Sequence, residues 1–77
     1  MLKVEILGKG CQKCHQLEAN TREAIATLGI DAELTHITDP IAIAQRGIMT
    51  TPALAINGKV VSKGQVLPPT QIQTLLQ

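Results

Sequence analysis

The sequence predicts an α/β domain whose short strands alternate with helices in the order βαβαββα. Three observations carry that expectation. The apolar period switches from two to about 3.6 near the first cysteine, at Gln12. Gly29 closes the helical stretch that follows. An Asn57-Gly58 pair, the preferred type I′ hairpin turn, joins two late apolar runs. The first two strands, joined by a helix, should lie parallel through a right-handed crossover, and the last two should form an antiparallel hairpin. Together they make a four-stranded mixed sheet flanked by helices.

Each element has its own local reason. In Leu2 to Leu7 the apolar Leu2, Val4 and Ile6 alternate with Lys3 and Glu5, the pattern of a strand. Gly8 and Gly10 break it and allow a tight turn. From Gln12, residues Cys14, Leu17, Thr21, Ala24, Ile25 and Leu28 share one helical face, with Gln16, Glu18, Glu23 and Thr27 turned away. Gly29 suits a left-handed C-cap, with Ile30 folding back on the last turn. Asp31 to Ile37 reads as a second strand with Ala32, Leu34 and His36 on one face. Asp39-Pro40 then starts a short helix, Ile41 to Arg46, as N-cap and first helical residue, and Gly47 ends it. Ala53 to Ile56 is a buried strand, and Lys59 to Ser62 is its return. Gly64 breaks the edge. Pro68-Pro69 opens a last helix with Ile72, Leu75 and Leu76 at core spacing.

The 77 residues make one domain, 1–77, with an aliphatic core, because there is no Phe, Tyr or Trp. That absence weighs against single-stranded nucleic-acid binding, which uses aromatic stacking platforms. Seven Lys and Arg against six Asp and Glu, with no basic run, weigh against a nucleic-acid or membrane surface. No apolar run approaches the roughly 18 residues of a membrane span. The first residues lack a signal-peptide pattern, so a cytoplasmic protein is expected, and the domain is expected to be a monomer.

Both cysteines lie in Gly8-Lys9-Gly10-Cys11-Gln12-Lys13-Cys14-His15. In a reducing compartment two such thiols are catalytic or metal-binding more often than structural. Three chemistries fit the stretch. A CxxC pair at the end of the first strand of a βαβ unit is a redox context. Soft thiolates also suit Cu(I) or Zn, although zinc needs two further ligands and only His15 and His36 are available. Metal-binding domains of this size with CxxC after a first strand run βαββαβ, whereas this chain ends on a helix. Cys11-x-x-Cys14-His15 also matches a c-type haem attachment motif, with Met49 as a distant axial ligand. No aromatic residue could line a haem pocket, however.

The chain resembles the thioredoxin-like superfamily, in particular its small glutaredoxin-sized members known as redox-active disulfide proteins. The resemblance spans the whole length. It rests on Gly10-Cys11-Gln12-Lys13-Cys14 after the first strand, Gly47-Ile48-Met49-Thr50-Thr51-Pro52-Ala53 before the third, and Gly64 after the fourth. A CxxC with a Thr-Pro at a strand start about 40 residues later is far more specific than the CxxC alone. The resemblance implies a thioredoxin-like fold and a thiol–disulfide oxidoreductase with no cofactor beyond the Cys11–Cys14 dithiol and no metal. It implies a cis Thr51-Pro52 bond facing the cysteines, with Pro52 covering the sulfurs against metal. Thr51 would pair with an extended substrate in the manner of strand addition, and Pro52, Gly10, Gln12 and Lys13 would share in substrate binding. It implies exchange with a protein or small-molecule disulfide, and as partners a disulfide-containing protein and an upstream thiol reductant, such as a thioredoxin-reductase-like enzyme. A domain that keeps the dithiol for binding or sensing stands beside that reading. Glu5, six residues before Cys11, matches the buried acid that assists proton transfer in ordinary thioredoxins, though a solvated strand residue is the simpler account. The family's usual Trp before the first cysteine is Gly10 here, and its Pro before the second is Lys13, so the redox potential does not carry over.

The helix start also divides the labour. Cys11 faces unpaired backbone N–H groups and the positive end of the helix dipole, which favour its thiolate. Lys13 adds a positive charge nearby. Cys14, one turn on and facing the core, is the shielded thiol that resolves a mixed disulfide formed by Cys11.

Overall fold

Strand β1 (Leu2–Leu7) lies inside the sheet, and its alternation sorts the apolar residues into two cores. The computed structural model describes residues 1–77. After β1 come α1 (Gln12–Leu28), β2 (Ala32–Ile37), α2 (Pro40–Gln45), β3 (Ala53–Ile56), β4 (Lys59–Lys63) and α3 (Pro69–Leu76). The spatial order is β2-β1-β3-β4, with β2 parallel to β1, β3 antiparallel to β1 and β4 antiparallel to β3. This is a thioredoxin-like α/β arrangement. No helix is long and apolar enough to cross a membrane.

Val4 and Ile6 of β1 and Leu54 of β3 point to one face, where they meet Leu17 and Ala24 of α1 and Ile72 and Leu76 of α3. Leu7, Ala53 and Ala55 point to the other, beneath Ile43 of α2 and Ile48. β3 is apolar at every position because helices cover both of its faces. Fully buried side chains such as Ile6 and Leu17 each contribute about 1.5–3 kcal/mol by leaving water. Buried Thr21 satisfies its hydroxyl by donating to the Leu17 carbonyl at 2.7 Å, so it costs the core little.

The local signals act where expected. Gly29 adopts φ 64° and its N–H closes the last turn of α1. Asp39 Oδ1 accepts the Ile41 N–H at 3.0 Å, and Asn57 and Gly58 both take positive φ, at 52° and 82°. Several boundaries and orientations differ from expectation. α2 begins one residue earlier, at Pro40, and Arg46 is its C-cap. A bulge opposite Leu54 and Ala55 lets β4 run on to Lys63. Leu75 is 38% exposed, because Ile72 and Leu76 alone fill the contact of α3 with the core. Glu18 does not simply face water: it bridges Arg22 on its own helix and His36 Nδ1 on β2, each at 2.9 Å.

Sheet register places the site. Leu7, the last residue of β1, pairs with Ala53, the first of β3. Gly8 and Pro52 therefore leave the same edge side by side, and α1 starts just beyond.

Candidate active site

Cys11 is the N-cap of α1, with extended backbone (φ −69°, ψ 169°) and its Sγ accepting the Cys14 N–H at 3.4 Å. A sulfur thus holds the place that Ser or Asp oxygen takes in most N-caps. No acidic residue lies in the first turn of α1, so nothing competes with a negative charge on that sulfur. The Cys11 side chain is exposed and the Cys14 side chain buried, with their sulfurs 2.8 Å apart and unbridged. The Cys14 thiol, donating to Cys11 Sγ, holds the Cys11 pKa below that of an ordinary thiol, and backbone N–H groups of the first turn add to the effect. Burial pushes the Cys14 pKa up, and its bond to Cys11 reinforces the rise. One sulfur is an accessible, thiolate-prone nucleophile, and its neighbour keeps its proton.

Gly8 is what allows Cys14 this position. A Cβ on Gly8 would overlap Cys14 Sγ and touch Thr51 Cβ at 3.7 Å. The requirement is space beside a sulfur and not a left-handed backbone, which is why turn chemistry alone gave no sign of it. The same geometry gathers Cys14 and Thr51 around one point at the end of β1. The Thr51–Pro52 peptide bond is cis and the Pro52 ring is buried, while Thr51 is exposed at the surface. Gly64, read from the sequence as an edge breaker and as part of the family resemblance, ties this loop down. Its N–H donates to the Pro52 carbonyl at 2.8 Å, and a Cβ there would come within 2.6 Å of Thr50 Cγ2.

Gly10 (φ 84°) makes the turn into the helix, and Gln12 and Lys13 are exposed on its first turn. Glu5 lies on β1, paired with Ala55 of β3. It projects to the α2 face, where Arg46 grips both carboxylate oxygens at 2.8 and 2.7 Å. The Arg46 guanidinium lowers the Glu5 pKa, and a carboxylate held ionised in this way is a poor proton donor. The strand residue read as solvated is instead held by a cation 41 residues away in sequence on another element. His15 is exposed on α1 and meets the ring of His36 edge-on, with centroids 6.0 Å apart. No three His, Cys, Asp or Glu side chains gather as a metal-ligating set. Met49, the axial ligand that a haem would need, is 93% exposed.

A family model described as a thioredoxin domain matches residues 2–77. The chain belongs to the thioredoxin family. Its curated relatives include a protein named thioredoxin from Methanothermobacter thermautotrophicus, 40% identical over 76 residues that cover 99% of each chain. Another thioredoxin, from Methanocaldococcus jannaschii, is 38% identical over 66 residues, 86% of this chain and 76% of its own. The chain is thus a thiol–disulfide oxidoreductase, with Cys11 and Cys14 brought close together at the start of α1. Disulfides are its substrates and a thiol reductant its partner in kind.

Proposed function

We propose that Cys11 is the attacking thiolate, Cys14 the resolving thiol, and the Thr51-Pro52 edge the platform on which a protein disulfide is laid. The opposed surroundings of the two sulfurs carry this reading: Cys11 is exposed with a lowered pKa, and Cys14 is buried with a raised one. Cys11 thiolate attacks one sulfur of the substrate disulfide, and the other substrate sulfur leaves as a thiolate that takes a proton from solvent. Cys14 then loses its proton and attacks Cys11 Sγ, which expels the second substrate thiolate. The substrate gains two electrons and the domain is left as the Cys11–Cys14 disulfide. A thiol reductant, such as a thioredoxin-reductase-like enzyme, returns two electrons and two protons.

Thr51 supports the substrate with its backbone as an added strand would. Gly10, Gln12 and Lys13 line the approach on the helix side, and Pro52 shields the sulfurs from metal. The domain, residues 1–77, works as a cytoplasmic monomer with no cofactor beyond its dithiol. Nearly balanced charge and the lack of aromatic residues support a role away from nucleic acid and membrane. Thiol trapping with mass measurement across a series of redox buffers tests the proposal, run metal-free and with Zn or Cu(I). A reversible loss of two hydrogens per molecule at a biological potential is expected. Tight stoichiometric metal uptake without a reversible disulfide would replace it with a metal-binding role.

A further inference from the structure

The charges of this chain are segregated along the strand axis. Lys9 lies in the turn between β1 and α1, Lys13 between the two cysteines, and Lys63 at the end of β4, paired with Ala53 and next to Gly64. All three are exposed at the end of the sheet where Cys11 emerges, and none is in an ion pair. Asp39, just beyond β2, has its Oδ1 capping α2 through the Ile41 N–H, and Glu18, one turn along α1 from Cys14, is already paired with Arg22 and His36. The four remaining basic residues, Lys3, Arg22, Arg46 and Lys59, stand against five acidic ones, Glu5, Glu18, Glu23, Asp31 and Glu33. Both arginines are already engaged, with Glu18 and Glu5. A molecule with formal net charge +1 thus turns a locally cationic rim toward its substrate and a slightly anionic body away from it.

We propose that this rim of Lys9, Lys13 and Lys63 is a docking surface for acidic protein segments, which carry Asp or Glu beside the disulfide they present. The assignment rests on the exchange reading above and narrows its substrate class. Lys9, in the turn leaving β1, and Lys13, on the first turn of α1, flank Cys11 in the chain, and Lys63 ends β4, the strand beyond β3 and the Thr51-Pro52 edge. An extended segment over Thr51 therefore passes between cations on both flanks. Exposed ammonium groups add little to the affinity of any one contact. Together, though, they raise the encounter rate of an oppositely charged partner and disfavour a like-charged one. The attraction is screened as salt shortens the Debye length from about 10 Å at 0.1 M to about 3 Å at 1 M.

The test compares kcat/KM on three peptide disulfides of one length, flanked by Asp and Glu, by Ser, or by Lys, together with oxidised glutathione as a small anionic disulfide. At low ionic strength the acidic peptide should exceed the basic one by about tenfold. That ratio should shrink toward one in high salt. Lys63→Glu and Lys9→Glu should each reduce or invert it, while Lys59→Glu, with the same change in net charge at the far end, should leave it unchanged. A ratio near one at low salt, or an equal response to Lys59→Glu, overturns the proposal. Oxidised glutathione reduced as well as the acidic peptide overturns the assignment to a protein partner. Failure to reduce even the Ser-flanked peptide would instead overturn the exchange reading on which the proposal stands.

Discussion

Cys11 and Cys14 share one helical turn and their sulfurs are 2.8 Å apart, yet they occupy opposite environments. Cys11 is an exposed N-cap whose sulfur meets the Cys14 thiol, the unpaired N–H groups of a helix start and open solvent. Cys14 is a core residue and owes its properties to packing against the end of β1, where Gly8 leaves it room. The Cys11 sulfur is thus tuned first by the Cys14 thiol and then by local backbone, and Cys14 by its burial in tertiary packing. The two are coupled, because the proton that burial holds on Cys14 is the one donated to Cys11.

The largest expected effect separates the two roles outright. Cys11→Ser should abolish disulfide reduction, whereas Cys14→Ser should still attack once and accumulate a mixed disulfide, seen as a stable adduct by mass spectrometry. Adduct formation through Cys14 in the Cys11→Ser protein would reverse the assignment. Next comes the packing side of the comparison. Gly8→Ala drives a methyl into Cys14 Sγ and should cost about 1–3 kcal/mol of stability by overpacking. Denaturant unfolding measures that cost. The same variant should prolong the mixed disulfide, because displaced Cys14 resolves it more slowly, and an unchanged adduct lifetime would remove Gly8 from the site.

The coupling is open to a pH experiment. Alkylation by iodoacetamide follows the thiolate, so the Cys11 rate should rise with pH and level off below the range of a free thiol, about pH 8.5. Cys14→Ala removes the donated hydrogen and should move that midpoint upward. A midpoint that stays put would show that the helix start alone sets the Cys11 pKa. The smallest effect lies on the far face. The folded-state pKa of Glu5 is lowered by Arg46, so this ion pair contributes stability above the usual carboxylate range. The contribution is lost as pH falls through the lowered value. Glu5→Gln should therefore lower Tm slightly at pH 7 and not at all in strong acid, with little change in exchange rate. A large loss of activity with unchanged Tm would restore Glu5 to the proton path.

What could be read from the sequence was what is encoded within a few residues. The periods of α1 and β1, the Asn57-Gly58 turn, the Gly29 and Asp39 caps and the position of Cys11 at a helix start all follow from local backbone preferences and spacing. Cys14 could be placed on the buried stripe of α1 for the same reason. Other features were legible only once register was known. Gly8 beside Cys14 Sγ, Gly64 holding the Pro52 carbonyl, Glu18 reaching His36 and Arg46 capturing Glu5 join elements that are distant in the chain or pack through side chains. Local preferences decide where elements begin and end. They carry no information on which strand residues face each other, and that pairing decides what surrounds each sulfur.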